Sequence, residues 1–179
     1  METYSLDRPL PGDLSVQSAL DAYLDENGFT TVEYDARTVT VTFWGASFTL
    51  PNLASRRLAI RFHDLHHVMT GYGTDPAGEF EVSAWELRRG IRVFGFYVRL
   101  IIMGGALAGM LIYPRRTWAA WKAAKPAPRF SRPTLDLYHA LMELSVSALR
   151  ERYAVPAAGI AGRRTLHENA PESIAIATQ

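Results

Sequence analysis

Residues 63–79 read HDLHHVMTGYGTDPAGE, and the organisation of the chain can be worked out from them. At about 100° per helical residue, Asp64 falls about 100° and His67 about 40° around from His63, so three candidate ligands share one third of the helix circumference. Leu58, Phe62, Leu65 and Met69 fall between about 200° and 260°, a separate apolar stripe for a core. The run Gly71-Tyr72-Gly73 breaks this helix, Thr74 or Asp75 supplies a new cap, and Pro76 suits the first turn of the next helix. A short break of this kind folds the second helix back beside the first, as an antiparallel pair over about 55–90. That return brings Glu79 towards the imidazoles, and Gly78 leaves room for close approach. Ser83 and Glu86, four and seven residues after Glu79, continue a polar stripe along the same face.

Two His with Asp64 and Glu79 make a nitrogen–oxygen donor set that suits Zn²⁺ and equally Fe²⁺ or Mn²⁺. A lone His on a helix is an ordinary surface or core residue. Two at i and i+4, with an adjacent carboxylate, an obligatory turn and a Gly-Glu, form a more specific pattern. His63, Asp64, His67 and Glu79 are therefore the candidate metal ligands. Glu79 and Glu86 are the candidate catalytic carboxylates, Glu86 as an orienting or proton-handling group. His66, on another side of the helix, reads as a supporting or structural residue. The zinc-protease pattern H-E-x-x-H is absent, and so is the paired E-x-x-H set of di-iron bundles. A phosphohydrolase site of the His-Asp type needs an earlier His, whereas His63 is the first in the chain.

Outward from this stretch, the N-terminal side holds a short helix with Val16, Ala19, Leu20, Tyr23 and Leu24 on one face, capped by Asp13 or Ser15 and ended by Asn27-Gly28. From Val32 to Leu50 apolar residues alternate with Thr around Gly45, which predicts a small β-hairpin. On the C-terminal side, Val93–Tyr113 is very apolar, with Arg99 as its one charge. As a helix it would be about 31 Å long, close to a bilayer core. Three readings stay open for it: the wall of a lipid channel touching a membrane surface, a core helix, or a membrane span. Trp118 and Trp121 beside Arg115, Arg116 and Lys122 suit a headgroup-level anchor as well as an inward-packed amphipathic helix. A last helix is expected over about 133–153. Residues 156–179, small, polar and aperiodic, read as a mobile tail. The expected whole is mainly α: one domain over 1–155 with a small N-terminal hairpin.

Composition sets outer bounds. The 179 residues hold 19 Lys and Arg against 18 Asp and Glu, so a general grip on nucleic acid is not expected. The absence of Cys removes disulfides and thiolate ligands. The N-terminus, with early acidic residues and prolines, is unlike a secretory leader.

His63, Asp64, His67 and Glu79, in the spacing H-D-x-x-H, eleven residues, E, resemble the signature of the coenzyme Q (ubiquinone) biosynthesis protein Coq-four family. Gly78 and Glu86 also look like the family, and LDLYHALMELSVSALRERYAV resembles its last helix. The likeness spans about Ser55–Val155. It departs at KPAPRFSRP, where the family carries a basic Gly-Arg-Arg element, and at the Thr-rich segment over 32–50. The resemblance implies a helical Coq-four-like bundle with a divalent metal, Zn²⁺ in the usual assignment. It also implies a channel for a polyprenyl chain and work on polyprenylated hydroxybenzoate or quinone intermediates. Two roles go with it: metal-dependent oxidative decarboxylation of the ring, or a non-catalytic scaffold that holds prenyl lipids around a structural metal. Partners implied are a membrane surface, other ubiquinone-biosynthesis proteins and a second copy of the chain. The location implied is cytoplasmic, peripheral on the inner face of the membrane. Zn²⁺ has no redox states, so an oxidation with Zn²⁺ alone would need another route for the electrons.

Overall fold

The computed structural model describes residues 10–43, 46–124 and 130–161. The protein is mainly α. Helix α1 (Val16–Glu26) starts at Ser15, whose side chain accepts from the Ser18 amide, and buries the five apolar residues that its spacing predicts. Val32–Asp35, expected as the start of a strand, forms instead a single helical turn, α2. Strands β1 (Thr38–Phe43) and β2 (Ala46–Pro51) pair antiparallel, with Thr38 opposite Pro51. Their connecting turn, with the expected Gly45, lies outside the described residues.

Two helices carry the candidate site. Helix α3 (Ala54–Thr70) stops at Gly71, whose φ of 78° is a left-handed conformation that a side chain would strain. Its C-terminal carbonyls are capped from afar. Buried Arg150 donates to Met69 O at 3.0 Å, and the amides of Ile160 and Ala161 donate to Thr70 O at 2.7 and 3.0 Å. A guanidinium at this end also complements the helix dipole. Residues 156–161 are therefore held against the fold, which corrects the tail reading for that stretch; the remaining tail residues, 162–179, lie outside the described residues. Helix α4 (Pro76–Gly90) begins with Asp75 accepting from Gly78 N at 3.0 Å and with Pro76 in its first turn. A Cβ on Gly78 would lie 2.0 Å from Gly73 O, so the turn between the helices closes only with glycine there.

A 3₁₀ turn (Ile91–Phe94) leads into α5 (Gly95–Ile112), then α6 (Pro114–Ala123). Gly105 and Gly109 of α5 press against Ser83 and Phe80 of α4, where a Cβ would come within 2.5 Å of each. Arg116 of α6 pairs with buried Glu81 of α4 at 2.9 Å. The expected last helix is two: α7 (Leu135–Met142) and α8 (Val146–Arg152). The break falls where Ser145 caps α8, and the amide of Val146 donates to Leu14 O at 2.8 Å. A bond to the N-terminal segment thus replaces one more turn of helix. Phe62, Leu65, Val68 and Met69 of α3 lie in one core cluster with α1, Trp85 of α4 and Leu141 and Leu149 of the last two helices. With its apolar stripe so anchored, α3 turns its histidines towards α4.

Candidate metal centre

His63, His67 and Glu79 converge, with one ligand-capable atom from each lying within 4.8 Å of the others. His63 Nε2 stands 3.1 Å from His67 Nε2 and 3.1 Å from Glu79 Oε2, and Glu79 Oε1 lies 3.4 Å from His67 Nε2. The outer nitrogens fix which ring atoms face inward. His67 Nδ1–H donates to Tyr72 O at 2.9 Å, and His63 Nδ1–H donates to Glu86 Oε1 at 3.0 Å. With Nδ1 protonated on both rings, each Nε2 is free to offer a lone pair, the ligand form that outer hydrogen bonds impose at metal sites. Two lone pairs and a carboxylate aimed at one point repel unless a cation or a proton lies among them.

The spacing fits a cation. Ligand atoms about 2.0–2.1 Å from a tetrahedral Zn²⁺ sit about 3.3 Å apart; the two Nε2 atoms are 3.1 Å apart, and Glu79 meets them with different oxygens, Oε2 at 3.1 Å from His63 and Oε1 at 3.4 Å from His67. Three protein donors fill part of such a shell. The Glu79 side chain is 41% exposed, so the cluster is open on its carboxylate side.

The charges agree. Burial works to lower His63, but Glu86 and Glu79 outweigh it and hold the imidazole well above the ordinary 6.5. Free of metal, His63 therefore keeps a proton on Nε2, where a cation would replace it. Glu79 is held far below the carboxylate range: desolvation opposes this, and His67 and His63 prevail. Glu86, also against the effect of burial, is drawn down to about 2 by His63 and His66.

The other predicted residues take distinct places. Glu86 is buried and joins the site from behind, accepting through Oε1 from both His63 and His66, the latter at 2.6 Å. It is not among the three converging donors. Asp64 is not one of them either. The 100° step from His63 turns it towards α2, where its carboxylate accepts the Tyr34 hydroxyl in a short hydrogen bond. Burial raises Asp64 above its ordinary value. Burial first and the Asp64 charge second push the Tyr23 and Tyr34 hydroxyls up, which keeps both as donors. Tyr23 also stacks on His67, with ring centroids 5.6 Å apart.

No family model, curated protein or solved structure matches the chain.

Sequence reasoning missed Tyr34, Tyr23 and Arg89. No local spacing links 34 or 23 to 64, since their meeting depends on how the N-terminal elements pack on α3. Arg89 lies one turn beyond Glu86, buried, with its guanidinium 4.8 Å above the Trp85 ring and 5.4 Å from that of Phe130. One of its nitrogens donates to Tyr153 O at 2.9 Å. A basic residue near a helix C-terminus gives no hint of such burial. Ser83 lies along the stripe from Glu79 as expected, but it packs against Gly105 of α5.

Proposed function

We propose that the protein binds one divalent cation through His63, His67 and Glu79, with Glu86 orienting His63. The observation that carries this is the pair of Nε2 atoms 3.1 Å apart, both turned inward by partners on Nδ1, with Glu79 against each. Zn²⁺ suits the donors, and Fe²⁺ or Mn²⁺ fit the same set. Bound there, the ion supplies a Lewis acid able to polarise a carboxylate or phenolate. The chain's own residues do the rest. Glu86 and Tyr72 hold the two rings at fixed orientation, and the Tyr34–Asp64 bond braces the helix between them. The exposed side of Glu79 leaves an approach for a small anionic group.

The resemblance of HDLHHVMTGYGTDPAGE to the Coq-four signature gives the substrate class. We infer a polyprenylated hydroxybenzoate or quinone precursor of ubiquinone, turned over by ring decarboxylation or held for other biosynthetic proteins. Three protein ligands and an exposed third donor favour an exchangeable position over a closed structural site. The test is elemental analysis of the full chain purified without chelator, together with mass spectrometry of its lipid extract. The expected result is one divalent metal per chain, lost in Glu79→Ala, and a prenylated aromatic in the extract. A chain that takes up no divalent cation stoichiometrically overturns the metal reading, and metal without any prenylated aromatic overturns the substrate class.

A further inference from the structure

Among the described residues, one face of helix α5 stays exposed. Phe96, Leu100, Met103, Leu107 and Leu111 follow one another at steps of four, three, four and four residues, so they form one stripe along about 23 Å of helix. Their exposures run from 39% at Met103 to 84% at Leu111. The opposite face, Val98, Ile102, Ala106 and Gly109, is buried. Beyond the end of α5, Trp118 of α6 is 50% exposed. Exposed apolar residues contiguous over about four turns mark a binding surface, whereas single ones are ordinary.

The charge around this stripe says what covers it. No Asp or Glu occurs from residue 87 to 135, a stretch holding ten of the 19 Lys and Arg, whereas the remainder of the chain holds nine basic and all 18 acidic residues. The near-neutral total therefore hides a cationic segment centred on the apolar helix. Arg92 before α5 and Arg115 and Lys122 after it are exposed, and Arg99 borders the stripe. A second copy of the same face would bring these like charges together. Anionic headgroups would meet both the charge and the apolar side chains.

We propose that the α5 face docks on the surface of an anionic phospholipid bilayer, lying in the interface with its stripe among the acyl chains. Length and composition alone would let a window of Pro76–Ile112 cross a membrane. Packing argues for lying flat. The buried side of α5 is pressed on α4, which carries buried Glu81, Glu86 and Arg89, so immersion would take those charges into hydrocarbon. This docking does not rest on the metal reading.

Flotation of the full chain with phosphatidylcholine vesicles, with and without phosphatidylglycerol, tests it. Binding is expected to the anionic vesicles and to weaken with salt. Arg92→Ser and Arg115→Ser should each weaken it about fivefold. Leu107→Asp with Leu111→Asp should abolish it, with an unchanged melting temperature showing that the fold persists. His67→Ala should bind vesicles like the parent, so a failed metal site and a failed docking face remain distinguishable. Equal binding to neutral and anionic vesicles overturns the proposal. So does a dimer by light scattering that Leu107→Asp dissociates while the parent ignores vesicles. Resistance to alkaline carbonate extraction also overturns it, in favour of a span.

Discussion

Two sides of α4 show opposite ways of arranging side chains. Towards α3, the seam is polar and closely coupled: two imidazoles and a carboxylate meet at one point, and Glu86 serves His63 and His66 together through one oxygen, its other oxygen buried without a partner among the described residues. Towards α5, contact is made by glycines against Ser83 and Phe80, and the far side of α5 ends in exposed Leu and Phe. The seam's geometry depends on charge and protonation, while the outer face of α5 contributes little to folding. A substitution should thus be felt as metal affinity and pH response on one side and as neither on the other.

The largest expected effect is at the ligands. His67→Ala should lower divalent-metal affinity by more than about 100-fold in competition with a chelator, above the roughly 10–100-fold typical of outer partners. Next comes Glu86→Gln. The amide keeps the size but loses the charge that orients His63, so affinity should fall about 10–100-fold while Asp64→Asn changes it less. A larger loss from Asp64→Asn than from Glu86→Gln would break the assignment of Asp64 to the tyrosines.

The third expectation concerns pH. In metal-free protein His63 is held above 6.5, so its contribution to stability is complete below about that pH and fades as pH rises through the folded value. Glu86 is drawn from 4.5 to about 2, so its contribution is complete above 4.5 and fades as pH falls towards 2. These two groups place the highest melting of the metal-free chain between those limits, and buried His66, lowered by desolvation, moves it towards the upper one. Added metal should release protons, measurable in weakly buffered calorimetry, because it displaces the His63 proton. The smallest effect belongs to the outer face: Leu107→Ser, at a residue 63% exposed, should change folding stability by less than about 0.5 kcal/mol in urea unfolding.

Much of the seam was legible in HDLHHVMTGYGTDPAGE because its information is local. The i and i+4 spacing puts His63 and His67 on one face, Gly71 ends the helix, and Asp75-Pro76 begins the next at a position that returns Glu79. Glu86 was legible for the same reason, two turns further along the stripe. The place of Asp64 was not legible, because adjacency on a helix says which sector a side chain occupies, and the element facing that sector, here the turn carrying Tyr34, comes from elsewhere in the chain. The last helix was read as continuous for a similar reason. Its residues suit a helix throughout, but the bond from Val146 to Leu14 competes at one point and wins.

The amino-acid order determined by itself where helices start and stop, which residues share a face, and hence that two imidazoles and a carboxylate could meet. Periodicity carries that much because it is a property of one element. Only the tertiary structure decided what each face meets: that Asp64 finds a tyrosine, that His66 shares Glu86, that residues 156–161 close over the end of α3, and that the apolar stripe of α5 stays exposed among the described residues. Such outcomes depend on which elements compete for the same surface, and no single stretch of sequence encodes that competition.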